Sequence, residues 1–320
     1  MRVTTVFAWL LGVAIVAALV WLNGPARIFE AIAALRWWLA AIAAWHLIPL
    51  MIDARAWQLL FASRPPLPPL LRAIWIGEGL NGLFPLPHVG ELMRARLGAR
   101  IAGAREGVSS VIVDLTLSVA TEGVFALVGL ALLSTLPGAG NALRIVAPAA
   151  AAIAAAALAF YFLQRAGLFA LAGRIAHRWS ATARKLFEIG SAEALDAGVR
   201  QVYWRRGALI EAAAWRFAGW IAGAGETWLI FYAAGHPIGI AEAIVVESLG
   251  HAARTAAFAI PAGLGVQDGA LMLLGAALGF GPEMGLVVAL AKRCRELILG
   301  LPALAIGYLL EARNLMQEAA

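Results

Sequence analysis

The chain has a single cysteine, Cys294, in 320 residues. No intrachain disulfide can form, and no cysteine cluster can hold a metal. The five histidines, His46, His88, His177, His236 and His251, are scattered, with no pair at the spacing of a helical zinc site. Charge is scarce as well. Asp, Glu, Lys and Arg make up 14% of the residues against 62% hydrophobic, and mean hydropathy is +0.82. Soluble domains carry about 25% charged residues, so this balance excludes an ordinary soluble domain and indicates a polytopic membrane protein. No phosphate loop and no nucleophile–base pair is visible. Gly263, Gly265 and Gly269 neither match GxGxxG nor follow a strand, so no dinucleotide site is expected. The sequence therefore argues for no enzyme activity, no metal and no cofactor.

What is plentiful is tryptophan (12) and glycine (33), the residues of membrane interfaces and close helix contacts. Apolar runs at 5–22, 37–60, 108–136, 143–163, 207–234 and 283–310 read as spanning helices, since a span takes roughly 20 residues. The first run is long for a signal sequence and has no small-x-small site after it, so it reads as a retained helix. The net charge of +6 belongs to loops between apolar segments, which argues for cytoplasmic arginines rather than a nucleic-acid partner. Arginines fill 62–72, 94–106 and 164–206, whereas PGAGN (137–141) and GHPIG (235–239) carry no Lys or Arg. The positive-inside rule puts the basic segments, and both termini, in the cytoplasm. Only the loop 23–36, with Arg27 and Arg36, runs against this. The stretch 164–206 has Leu168, Leu171, Ile175 and Trp179 at helical spacing among arginines, and reads as an amphipathic cytoplasmic connector on anionic lipid.

Two regions, 70–92 and 240–280, do not read as ordinary spans. The first begins and ends beside cytoplasmic arginines. The second lies between segments free of Lys and Arg, and carries Glu242, Glu247, His251 and Arg254. Both contain a Pro/Gly break in the order Phe, Pro, Gly, acid: FPLPHVGE around Pro85, Pro87, Gly90 and Glu91, and FAIPAGLGVQD around Pro261, Gly263, Gly265 and Asp268. Irregular backbone at membrane depth needs protein or a water cavity around it. The expectation is an all-α transmembrane domain over 1–320, with six spans and two oppositely directed re-entrant hairpins. Segments 37–136 and 207–310 would form an inverted repeat whose broken helices meet at a central site.

Residues for that site follow. Glu91 and Asp268 fall in the first turn of the restarted helices, where they either cap them or line a polar pocket. KRCRE (292–296) sets Lys292, Arg293, Arg295 and Glu296 inside an apolar run, where charge is costly unless it faces protein or water. Helical spacing puts Lys292, Arg295 and Glu296 on one face and sends Arg293 elsewhere. Two readings stay open: a salt-bridge network fastening the halves, or an anion site, since the group carries a net charge of +2. Arg216, Glu211, Glu226 and Arg254 are candidate partners. Asp114 and Glu122 could serve similarly, though they are not obviously paired.

The segments LNGLFPLPHVGELMRARL, RTAAFAIPAGLGVQDGALMLLGAALG and KRCRELILGLP resemble the flippase-like family defined by the transmembrane region of lysylphosphatidylglycerol synthase. The second motif with its KRxRE sequel is most similar to the hopanoid-biosynthesis-associated branch. The resemblance covers nearly the whole chain; the VGE of the first motif departs from the family pattern. It implies movement of a polar or anionic lipid, with a link to hopanoids, between the leaflets of a bacterial inner membrane. Larger relatives carry a soluble aminoacyl-transferase domain, and lipid aminoacylation is not expected of this sequence. The residues it implies are Asn81, Pro85, Pro87, Gly90, Glu91 and Arg94 in the first motif, and Arg254, Pro261, Gly263, Gly265, Gln267 and Asp268 in the second. Lys292, Arg293, Arg295 and Glu296 follow in the third. Membrane lipids are the expected partners. The alternative is a non-transporting protein that anchors or organises lipid-synthesis enzymes.

Overall fold

The computed structural model describes residues 25–83, 88–136, 192–256 and 263–318, with Ala17 and Trp21 before them. The expected spans 5–22 and 143–163, most of the connector 164–206, and Pro85, Pro87 and Pro261 lie outside the described residues. Every regular element among the described residues is an α-helix: α1 (Pro25–Leu35), α2 (Trp38–Leu60), α3 (Leu67–Leu83), α4 (Val89–Ala102), α5 (Ala104–Thr135), α6 (Ala192–Trp204), α7 (Arg206–Ala233), α8 (Ile240–Ala256), α9 (Val266–Ala277) and α10 (Pro282–Glu318).

The boundaries follow from local chemistry. Runs rich in Ala and Leu favour helix, and RPPLPP stops the first of them. Phe61 is extended (φ −79°, ψ 135°) after α2. Pro65 and Pro66 cannot continue a helix, while Pro68 and Pro69 fall in the first turn of α3, where a missing N–H costs nothing. Gly103 separates α4 from α5 at φ +87°, and Gly281 precedes α10 at φ +87°, both in the left-handed region that glycine tolerates.

Two sets of four helices run in the same order: a long helix, two shorter ones, a long helix. In the first set, α2 to α5 have 23, 17, 14 and 32 residues; in the second, α7 to α10 have 28, 17, 12 and 37. At 1.5 Å per residue the 17-residue arms are ~25 Å long, less than a hydrocarbon layer of ~30 Å. The packing exchanges the sets: α2 lies on α7, α3 on α10, and α8 on α5. Helices α2 and α7 run antiparallel, for Trp38 stacks edge-on against Tyr232 at 5.7 Å, Trp45 donates to the Ala222 carbonyl at 2.8 Å, and Arg55 meets Glu211 at 3.4 Å. Helices α5 and α8 are antiparallel too: Leu133 packs by Val245, Ala126 by Ala252, and Thr255 bonds Glu122.

Glycines set the closest approaches. A Cβ on Gly107 would overlap the Gly98 backbone where α4 meets α5. A Cβ on Gly285 would overlap the Leu271 backbone where α9 meets α10, with Gly275 beside it. Gly107→Ala and Gly285→Ala should each destabilise the protein by about 1–3 kcal/mol through overpacking. Gly207→Ala and Gly269→Ala, whose Cβ atoms would meet open space, should not lower stability. Melting temperatures in detergent compare the four; an unchanged Gly107→Ala protein would show that α4 and α5 are not held this close.

Apolar side chains form two large clusters, beside the smaller Leu133–Val245 and Ala126–Ala252 contacts. One gathers Ile42, Phe231, Val246, Leu271, Leu286 and Val287; the other gathers Trp57, Phe61, Leu70, Ile74, Val111 and Val199. Large apolar side chains also face outward, among them Leu92, Ile210, Leu273 and Leu301, as a lipid-facing surface requires. Among the described residues, α2 and α5 are long and apolar enough to cross a membrane by length and composition alone. Helices α7 and α10 are long but carry ionic groups, of which Arg216, Glu226, Lys292 and Arg295 are buried.

Candidate functional site

Each hairpin is closed at its break by a polar side chain. In the first, Asn81 on α3 reaches across to α4. Its Oδ1 accepts from the Gly90 N–H at 2.8 Å, and its Nδ2 donates to Glu91 Oε1 at 2.8 Å. Gly90 has no room for a Cβ beside the Gly77 carbonyl and Asn81, so α3 and α4 pack closely. His88, just before α4, is held at φ +58°, a conformation uncommon for a residue with a side chain. In the second hairpin, Asp268 accepts from the Gly265 N–H at 2.8 Å and satisfies a free donor at the start of α9. Gly263 sits against the side chain of Arg254.

Between the helices lies a cavity of about 270 Å³. Its walls come from α2, α3, α4, α5, α7, α8 and α10. The acids on it are Asp53, Glu78, Glu91, Glu226, Glu247 and Glu296; the strong bases are Arg94, Arg216, Arg254, Lys292 and Arg295; His46 and His251 complete the ionisable set. Glu78 is the most open of the paired carboxylates, with 40% of its side chain exposed. Trp220, also on the wall, rests against His251 with ring centres 4.9 Å apart.

The charges are organised in groups. Asp114, 1% exposed, accepts from both Arg94 and Arg216, and Arg216 also meets Asp53 at 2.9 Å. Arg94 lies over the Trp57 ring, 4.7 Å from its centre. Two cations and two anions thus close at zero. Lys292 donates to Glu247 at 2.6 Å; the same carboxylate takes the Thr227 hydroxyl and stands 3.2 Å from His251. Arg254 meets Glu296 at 2.9 Å, and Arg293 meets Glu296 at 3.0 Å and Asp268 at 3.3 Å, a second closed set of four. Finally, His46 contacts Glu226 at 2.6 Å and Glu78 at 2.8 Å, while Arg295 contacts Glu78 at 2.9 Å and Glu226 at 3.2 Å. These groups tie α2, α3 and α7 to α10, and α8 and α9 to α10. Buried charge is tolerated here because each group has its partner.

Of the residues drawn from the sequence, Asn81, Glu91, Arg94, Arg254, Lys292, Arg295 and Glu296 line this cavity. Gln267, Asp268 and Arg293 line a narrow cleft of about 10 Å³ beside it, whose wall shares Arg254, Lys292, Arg295 and Glu296. Gly90, Gly263 and Gly265 back the hairpins. Helical spacing directed Arg293 away from the Lys292 face. The long guanidinium instead folds back to Glu296, one turn further along α10, and ties it to Asp268. Asp114 and Glu122, unpaired in the sequence, find Arg94 with Arg216, and Thr255. The excess of positive charge in KRCRE is taken up by Glu78, Glu226, Glu247 and Asp268 from other helices. His46, Asp53 and Glu78 did not stand out in the sequence. Their signal was there: His46 and Asp53 are ionisable groups within one of the two described helices long and apolar enough to cross a membrane. Four buried atoms of cavity residues make no hydrogen bond: Arg94 Nε, Glu91 Oε2, and Arg295 Nε and Glu226 Oε1, which face each other as an ion pair at 3.2 Å.

The chain matches the family described as lysylphosphatidylglycerol synthase TM region over residues 9–303. No curated protein and no solved structure matches it.

Proposed function

Because the chain belongs to the lysylphosphatidylglycerol synthase TM-region family and is a membrane protein, we propose that it carries the polar headgroup of a lipid between leaflets through the central cavity, the acyl tails staying in the bilayer. The observation that carries this reading is the cavity itself: about 270 Å³, walled by helices from both sets of four, with charges of both signs. A protein that only anchored other enzymes would need no such space at its centre. Arg94 and Glu91, three residues apart on α4, bring a guanidinium and a carboxylate to the same wall. With the positive excess of KRCRE neutralised, the wall suits a zwitterionic headgroup or a polyol better than a simple anion.

The topology belongs to the same proposal: six spans, two oppositely directed re-entrant hairpins, an inverted repeat of 37–136 and 207–310, both termini cytoplasmic, in a bacterial inner membrane. Equivalent helices α2 and α7 pack antiparallel, so any symmetry axis relating the sets crosses them at right angles. That is the relation of an inverted repeat. The short arms of each hairpin support re-entry. In a Cys294→Ser background, Ser63→Cys should label from the cytoplasmic side and His236→Cys from the opposite side. Labelling of both from one side would overturn the topology.

Transport is tested in proteoliposomes with fluorescent phospholipid reporters of zwitterionic and anionic headgroup. The reporter should move between leaflets faster than in empty vesicles, and the zwitterionic one faster than the anionic. The similarity of the second motif to the hopanoid-associated branch makes a hopanoid-related lipid the next reporter. No movement above empty vesicles for any of them would overturn the reading.

A further inference from the structure

The His46 group differs from the other charge groups around the cavity in one respect. Arg94, Arg216, Asp53 and Asp114 sum to zero; so do Arg254, Arg293, Glu296 and Asp268; so do Lys292 and Glu247. Arg295 alone faces Glu78 and Glu226. With a neutral imidazole, that group carries a net charge of −1 at the centre of the protein, although Glu226 is 1% exposed and Arg295 6%. One more proton closes it.

The hydrogen bonds point the same way. His46 Nε2, Glu78 Oε1 and Arg295 Nη1 form a triangle with sides of 2.8, 2.9 and 2.9 Å. The guanidinium can only donate and an ionised carboxylate can only accept. If Nε2 is bare, it faces the Glu78 oxygen at 2.8 Å with no hydrogen between two lone pairs. If Nε2 carries a proton, that proton fills the contact to Glu78, Nδ1–H donates to Glu226, and Arg295 turns its own N–H to the carboxylates. The second arrangement puts a hydrogen in both imidazole–carboxylate contacts and gives up the Arg295 Nη1–His46 Nε2 bond. Protonation takes the group from −1 to zero.

Other charges do not supply this proton's effect. On α2, Asp53 is held by Arg216. On α5, Asp114 is held by Arg94 and Arg216. On α7, Arg216 is engaged by these two acids; on α8, Arg254 is held by Glu296 of α10, and on α10 Lys292 is held by Glu247 of α8. Glu78, with 40% of its side chain exposed, gives the proton a way to the cavity.

We propose that His46, between Glu78 and Glu226, is the site of a transported proton, bound and released once per lipid moved, so that the carrier is driven by a proton gradient. This rests on the headgroup-carrier reading for the coupling, though the proton site itself does not.

Histidine-selective 15N NMR on the full chain in lipid nanodiscs tests the site without any transport. The His46 signal, assigned by its loss in His46→Gln, should show both ring nitrogens protonated near neutral pH. In Glu78→Gln the group sums to zero with a neutral imidazole, so the doubly protonated signal should disappear. Glu226→Gln makes the same charge change and replaces Glu78→Gln should that variant misfold. A neutral single tautomer in the parent protein, or an imidazolium that persists in both variants, overturns the site.

Proteoliposomes test the coupling. With one proton per lipid, a gradient of one pH unit supports about a tenfold reporter ratio between leaflets, because each ~1.4 kcal/mol is a factor of ten. His46→Gln and Glu78→Gln should abolish that gradient-driven ratio. Lipid movement that ignores the gradient in the parent protein overturns the coupling. If no lipid moves under any condition while NMR finds the imidazolium, the headgroup-carrier reading fails and the proton site remains.

Discussion

Asp114→Asn is expected to cost about 3–5 kcal/mol of stability, the amount typical of removing one partner from a buried ion group. Asp114 is 1% exposed and accepts from Arg94 and Arg216, which are 8% and 6% exposed. An amide keeps the shape but leaves two buried guanidiniums with Asp53 as their single anion. The loss should appear as a large fall in melting temperature or in the monodisperse fraction in detergent. Two comparisons isolate the cause. Arg55→Ala removes a surface pair at 3.4 Å, more than a third exposed on both sides, and should cost under ~1 kcal/mol. Asp114→Asn combined with Arg94→Met returns the group to zero, with Arg216 facing Asp53, and should recover part of the loss. If Asp114→Asn is no worse than Arg55→Ala, the group does not hold α4, α5 and α7 together.

Most of the helical layout was legible in the sequence because apolar runs and Pro/Gly breaks are local signals. The expected spans 37–60, 108–136, 207–234 and 283–310 correspond to α2, α5, α7 and α10. The irregular regions 70–92 and 240–280 each resolve into two short helices around a break. What periodicity could not give is pairing across helices. The positive excess of KRCRE left both a salt-bridge network and an anion site open, because its neutralising acids come from α3, α7, α8 and α9, up to 217 residues away in the case of Glu78 and Arg295. His46 could be noticed as an ionisable group in an apolar helix, but its role could not be read for the same reason. A histidine in an apolar helix has no meaning until the glutamates from two other helices lie beside it. Glu91 and Asp268, by contrast, were placed at helix starts from the break alone, and that is where they are. Asn81, accepting from the Gly90 N–H, and Asp268, accepting from the Gly265 N–H, show that the two helix starts are satisfied by different residues.

Lys292 and Glu247 can separate the two roles that the sequence left open for the charged segment, fastening and binding. Lys292→Met leaves Glu247, 4% exposed, with only Thr227 and His251. That single change should cost about 3–5 kcal/mol, for an unpaired buried charge is left behind. Lys292→Met with Glu247→Gln removes both charges. An amide oxygen still accepts from Thr227, and the methionine fills much of the lysine stem's volume, so the double variant should fold with stability near that of the parent. Its transport then decides. If the pair only fastens α8 to α10, the double variant should move the reporter lipid at the parental rate. If Lys292, which faces the cavity, also takes hold of the headgroup, the rate should fall by about 10- to 100-fold, the worth of one charge-assisted hydrogen bond of ~1.5–3 kcal/mol. The cavity geometry favours the second outcome, because the pair lines the space rather than sitting behind it. A stable double variant with the parental rate would assign Lys292 to the scaffold and move the headgroup site toward Arg94 and Glu91, which line the same cavity from α4.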